Sequence, residues 1–154
     1  MNFKKLPLSF NQIKGNCQVV FIFTTLLLGI FSCSDQDNNG IPLVQVNFQI
    51  ALNDPEYSEL QTTGGWELVP YGSRGIILYR ASPDEIKAYD RHCTFQPSNT
   101  CSIVDVDPNN ITATDHCCGS SFLLTTGDVS NPPASIPLKQ YNTFIDGSQL
   151  IVTN

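Results

Sequence analysis

Both histidines and four of the six cysteines of this 154-residue chain lie in or between two short runs, Asp90-Arg-His-Cys93 and Asp115-His-Cys-Cys-Gly119. Thiolate, imidazole and carboxylate are the side chains that hold transition metals, and thiols are also the disulfide formers. Two chemistries are therefore open. Cys93, Cys101, Cys117 and Cys118 are an even set that pairs as disulfides in an oxidising compartment, and four cysteines allow three pairings. Alternatively, four cysteines, or three with His92, suit zinc or iron. Asp90 and Asp115 then serve as ligands or as groups that orient His92. The spacing Cys-x7-Cys-x15-Cys-Cys is not a usual zinc-finger spacing, because adjacent cysteines rarely share one metal. Disulfides are the preferred reading. Adjacent residues point in different directions in an extended chain, so Cys117 and Cys118 take separate partners. Catalysis has little support: there is no nucleophile elbow, Gly-rich phosphate loop or HExxH. A carboxylate pair around His92 has no substrate placed beside it.

Strands must position these runs. Val44, Val46, Phe48 and Ile50 alternate with Gln45, Asn47 and Gln49, the period of a half-buried strand, which Asn53-Asp-Pro55 ends. Tyr57 to Thr63 is ambiguous. Gly64-Gly65 is a turn, Trp66 to Val69 a strand and Gly72-Ser-Arg-Gly75 a hairpin loop. Trp66, the single Trp, reads as core. Ile76 to Arg80 is a strand with too little alternation for an exposed face. Ser82-Pro-Asp-Glu turns the chain, and Ile86 to Tyr89 leads into the first run. Cys101 to Val106 and Ile111 to Thr114, around Asp107-Pro-Asn-Asn110, predict a hairpin. Thr126-Gly127 and Asp146-Gly147 are further hairpin turns, and Ser148 to Thr153 closes the chain. No stretch shows a 3.6-residue period, so the fold class is all-β.

Before this domain, Lys4, Lys5 and Lys14 precede a thirteen-residue apolar run, Val19 to Phe31. That is signal-peptide length and short of the roughly 20 residues that span a bilayer. Ile30-Phe-Ser-Cys33 resembles a lipobox, which makes Cys33 the lipidated residue and discards Cys17 with the signal. The expected organisation is a lipoprotein signal over 1–32, a flexible tether over 33–40 and one folded domain over 41–154. From Cys33 onward the chain holds five basic and fourteen acidic residues, a net charge of −9. Such a domain is a poor candidate for nucleic acid or anionic membranes. Lipid at Cys33 is the expected membrane contact, and the expected location is the cell envelope: outer membrane, periplasmic face or cell surface.

Asp90-x-His92, a gap of 22 residues, then Asp115-x-x-Cys118-Gly119 resembles the Rieske iron–sulfur pattern Cys-x-His … Cys-x-x-His-Gly. The run from Gly119 through Phe122, Gly127-Asp128, Pro132-Pro-Ala134, Pro137-Leu138 and Tyr141 to Asp146-Gly147 is similar to the second half of such a domain. The set also resembles a divergent Rieske-like group among lipoproteins of Bacteroidetes-type bacteria. The resemblance implies stacked antiparallel sheets with a small loop-bearing β subdomain, about residues 88–126. It implies a [2Fe–2S] cluster at Asp90, His92, Asp115 and Cys118. Only His92 keeps the family's ligand type: Asp stands at both Cys positions and Cys at the second His position. His116 falls on a non-ligand position and reads as a loop residue. A bridge between the two loops, known in some members, implies Cys117 paired with Cys93, leaving Cys101 with Cys118. The signal lacks an Arg-Arg pair, and general secretion of an unfolded chain does not carry a preassembled cluster. The expectation is a structural or interaction module of the envelope with no cluster, bound to another envelope protein. The alternative is an electron-transfer or metal-binding protein using a [2Fe–2S] cluster or a single zinc or iron, with a redox partner.

Overall fold

The computed structural model describes residues 40–154. The signal over 1–32, the lipobox with Cys33, Cys17 and nearly all of the tether lie outside the described residues.

Ten strands and one short 3-10 helix make up this unit. In chain order the strands are β1 (Asn47–Ala51), β2 (Trp66–Val69), β3 (Ile76–Ser82), β4 (Glu85–Asp90), β5 (Val104–Val106), β6 (Thr112–Asp115), β7 (Ser121–Leu123), β8 (Val129–Asn131), β9 (Gln140–Asp146) and β10 (Gln149–Thr153). They form a six-stranded sheet ordered β1-β10-β9-β4-β3-β2 and a four-stranded sheet ordered β5-β6-β7-β8, every pairing antiparallel. The all-β expectation holds, with hairpins at the Asp107–Asn110, Gly127 and Gly147 turns. Most of the ambiguous stretch, Tyr57 to Gln61, lies in the 3-10 helix Pro55–Gln61, and Thr62 ends it. Asp54 caps it by accepting the Glu56 N–H at 3.0 Å, and Pro55 supplies a fixed φ at its first position. A seven-residue 3-10 stretch, broken by non-helical backbone at Tyr57, is too short to leave a hydrophobic period in the sequence.

Two cores explain the strand patterns. Val46, Phe48, Ile50, Ile76, Leu78, Ile86, Ala88, Leu150 and Val152 share the first. Ile77, Tyr79, Tyr89, Val104, Ala113 and Phe122 share the second. β3 thus sends alternate residues into two different cores, which is why Ile76 to Arg80 shows no polar face. β1 has one buried face and keeps its alternation, with Asn47 and Gln49 exposed. Trp66 packs half-buried against the second core and donates its indole N–H to Asn110 at 3.0 Å. Arg80 is buried, and its guanidinium is satisfied by the carbonyls of Leu60 (2.7 Å) and Pro83 (2.8 Å).

The second core joins the sheets and places the two chemistry-bearing loops. The first loop leaves β4 at Asp90 and returns to β5. The second is the tight connection between β6 and β7, residues 116–120. The four-stranded sheet that carries both runs on to Asn131, five residues beyond the expected subdomain.

Candidate functional site

Asp90 ends β4 and is fully buried. One carboxylate oxygen accepts the His92 N–H at 2.9 Å. The other accepts the Ser73 N–H and the Tyr141 hydroxyl, each at 2.7 Å. The carboxylate thereby closes its own loop two residues ahead and ties it to the β2–β3 turn and to β9. Gly72 has φ +74°, and a Cβ there would stand 2.6 Å from the carboxylate, so the turn approaches this closely only as glycine.

His92 is 3% exposed, and both ring nitrogens are engaged. Nε2 lies 2.7 Å from the Pro97 carbonyl, which can only accept, so Nε2 carries the proton. Nδ1 then accepts from the Ser73 hydroxyl at 2.9 Å. Neither nitrogen offers a free lone pair. Arg74 braces the same loop by donating to the carbonyls of Asn99, Thr100 and Ser102 at 2.7–3.1 Å.

Asp115 repeats the Asp90 pattern in the second loop. It is fully buried, and Oδ1 accepts the Cys117 N–H at 2.7 Å. Its other oxygen, Oδ2, is buried without a hydrogen bond of ordinary geometry among the described residues, and the Cys93 thiol lies beside the carboxylate. Gly119, at φ +80°, returns its N–H to the Asp115 carbonyl at 2.7 Å and completes the turn.

The disulfide pairing implied by the resemblance is corrected. The bridge joins Cys101 to Cys117, with Cα atoms 5.9 Å apart, and Cys93 and Cys118 are thiols. Cys93 is fully buried in the second core, whereas Cys101 and Cys117 are exposed on the two loops. Cys93 therefore faces the inward-turned Cys118, with the sulfurs 4.0 Å apart, and not Cys117. Cys117 and Cys118 do take separate directions. His116 is an exposed loop residue.

The bridge spans 16 residues and constrains the unfolded chain by about 3 kcal/mol in the chain-entropy account. Replacing Cys101 and Cys117 together by serine lowers the unfolding free energy by that order, measured by urea denaturation of oxidised protein against the double variant.

Of the four residues implied as cluster ligands, the structure brings Asp115 and Cys118 together and adds Cys93. Asp90 and His92 are committed to the hydrogen bonds above. Ser73, Arg74, Tyr141 and Ser120 complete the loops, although nothing in the sequence marks them as site residues. Only the Gly72/Gly75 pair around Ser73 and Arg74 hinted at a constrained turn.

These residues do not fit a [2Fe–2S] cluster. Such a centre needs two thiolates and two imidazoles converging with free donor atoms. Here one imidazole is saturated, one carboxylate accepts three protein donors, and the thiol pair is Cys93 with Cys118.

Burial, reinforced by the nearby Asp115 carboxylate, pushes the Cys93 thiol well above the usual thiol range. The folded protein holds this proton at a pH where the unfolded chain has released it. The resulting stability is complete below the unfolded thiol value of about 8.5 and is lost as pH rises past it. Metal-free protein is expected to lose stability between pH 8 and 10, and Cys93→Ala to flatten that slope in denaturant titrations.

A six-stranded sheet joined to a small four-stranded sheet that presents two loops matches the arrangement expected from the Rieske resemblance. No protein-family model matches the sequence, and no curated protein matches it. Among solved structures, the chain is similar to the cyanobacterial plasma membrane Rieske protein PetC3 from Synechocystis PCC 6803. The identity is 24% and the TM-score 0.49, over 73% of this chain and all of that one. It is also similar to a chain in the complex of oxygenase and ferredoxin of carbazole 1,9a-dioxygenase, at 18% identity and TM-score 0.49, over 71% of this chain and 94% of that one. A third is the Sphingomonas yanoikuyae B1 ferredoxin, at 19% identity and TM-score 0.42, over 62% and 93%.

Proposed function

We propose that the chain is an exported, lipid-anchored Rieske-like protein of the cell envelope that keeps the fold without the [2Fe–2S] cluster and acts by binding another envelope protein. The observation that carries the reading is Asp90. At a position where the Rieske pattern has a cluster thiolate, a buried carboxylate spends its oxygens on Ser73, His92 and Tyr141. The loop is held by protein donors in place of a metal ion. Asp115 closes the second loop through Cys117 in the same way. A loop pair closed by carboxylates and by the Cys101–Cys117 bridge is a rigid, cluster-independent surface suited to recognition.

Export and anchoring rest on the basic start, the apolar run Val19 to Phe31 and the lipobox-like Ile30-Phe-Ser-Cys33. Acyl chains contribute about 0.8 kcal/mol per buried CH2, so more than one chain at Cys33 holds the domain stably on a membrane. With the −9 charge of the chain from Cys33 onward, anionic lipid headgroups are not the anchor.

The test uses the full chain with its own leader, produced in a bacterial host and fed an alkyne fatty acid. Label in the membrane fraction, abolished by Cys33→Ser, is the expected result. The purified protein is expected to be colourless and iron-free. Stoichiometric iron with visible charge-transfer bands would overturn the cluster-free reading. Unlabelled protein outside the membrane fraction would overturn the anchor.

A further inference from the structure

We propose that Cys93, Cys118 and Asp115 form a mononuclear site for a zinc-class divalent cation. This site uses a donor set different from the four Rieske positions. It rests on the cluster-free reading, because Asp115 and Cys118 cannot serve both centres.

The two sulfurs and one carboxylate oxygen lie within 4.8 Å of one another. The sulfurs are 4.0 Å apart. Two thiolates on one tetrahedral zinc, each at about 2.3 Å, stand roughly 3.8 Å from each other. A disulfide needs about 2.05 Å, so the pair is spaced for a shared ion and not for a bond.

Asp115 supplies an independent observation. Its side chain is fully buried, Oδ1 is occupied by the Cys117 N–H, and Oδ2 has no hydrogen bond of ordinary geometry among the described residues, with only the weakly donating Cys93 thiol beside the carboxylate. A buried carboxylate answered by one N–H and a weak thiol donor is under-satisfied, and a positive charge at the site would compensate it. A cation beside the two sulfurs supplies that charge. Bonding between Cys101 and Cys117 also removes the objection that adjacent cysteines do not share a metal, since only Cys118 of that pair faces the site.

Groups around the ligands fit the same reading. The Ser120 N–H lies 3.4 Å from the Cys118 sulfur and the Ser120 hydroxyl 3.1 Å from it. The Ala134 N–H, 2.9 Å from the Ser120 oxygen, fixes that hydroxyl in place. Such outer partners orient a metal thiolate and tune it. Cys118 is only half-buried, which leaves water access to a fourth position. Two thiolates favour a soft or borderline ion over magnesium or calcium, and one carboxylate is within the zinc repertoire. Binding releases the two thiol protons to solvent and changes no oxidation state.

The experiment takes the full chain with its disulfide intact, strips it with a chelator and titrates it with cobalt(II). One equivalent is expected to give a thiolate-to-cobalt charge-transfer band with tetrahedral d–d bands, bleached by zinc(II). Cys118→Ser, a near-isosteric change at a half-buried position, is expected to lose about half the charge-transfer intensity, one of two thiolates being gone. Asp115→Asn is expected to weaken cobalt binding by about tenfold or more. The double variant Cys101→Ser, Cys117→Ser is expected to keep the band.

Two reactive thiols with no cobalt band would overturn the site, as would a Cys93–Cys118 disulfide in protein isolated with zinc present. So would a band lost in the Cys101/Cys117 variant and kept in Cys118→Ser. All three outcomes leave the cluster-free reading standing. Visible iron–sulfur absorption in protein as isolated would remove both.

Discussion

Asp90→Ala is expected to lower the unfolding free energy by about 3–5 kcal/mol, the largest effect of any single polar substitution in the loops. Three donors converge on this one carboxylate: the Ser73 and His92 N–H groups and the Tyr141 hydroxyl. Tyr141 is 2% exposed and His92 3%, so water cannot replace the lost acceptor without opening the structure. Each buried donor left without its acceptor costs about 1–3 kcal/mol, and relaxation recovers part of the sum. Asp90→Asn keeps the shape and one accepting oxygen, so it should lose clearly less than the alanine variant. Tyr141→Phe removes one of the three bonds and should cost about 1–2 kcal/mol. Urea unfolding followed by Trp66 fluorescence measures all three. A loss under 1 kcal/mol for Asp90→Ala would mean that the carboxylate does not hold the first loop, and the cluster-free reading would lose its main support.

Gly127→Ala is expected to cost about 2–5 kcal/mol, a large penalty for one methyl group. Gly127 turns the chain between β7 and β8 at φ +81°, a conformation that costs an L-residue about 1–2 kcal/mol. Its added Cβ would also stand 2.7 Å from the ring of Tyr89. Tyr89 is fully buried among Ile77, Phe122 and Leu124 in the second core and cannot swing away. Overpacking of this kind adds about 1–3 kcal/mol. Gly147→Ala is the control: its φ is +57° and a Cβ meets nothing within 4 Å, so only the backbone cost of about 1–2 kcal/mol remains. Equal losses for the two variants would show that the Tyr89 contact carries no weight.

The two glycines also show where reading the sequence stops. Thr126-Gly127 and Asp146-Gly147 look alike in the sequence, and both are hairpin turns. Only the packing of Tyr89, 38 positions away in the chain, makes one of them irreplaceable. The strands behave similarly. β1 was legible because one face is buried and its alternation is intact. The lack of alternation in β3 excluded an exposed face, yet it did not show that two separate cores receive its two faces. The 3-10 helix is ambiguous in the sequence because seven residues, capped by Asp54 and kinked at Tyr57, leave no period.

Local sequence determined what depends on near neighbours: the all-β class, the hairpin turns, and the concentration of His, Cys and Asp in two loops. It also identified Asp where a Rieske ligand set has thiolates. Which donors meet was decided only by the tertiary structure. Cys93 and Cys101 both belong to the first loop, but one points into the second core and the other to solvent. That difference sets the Cys101–Cys117 bridge and leaves Cys93 beside Cys118 and Asp115. The physical reason is reach. A disulfide or a metal needs sulfurs placed within a few ångströms, and the packing of β5, β6 and β7 on β3 and β4 sets those positions, not the number of residues between the cysteines.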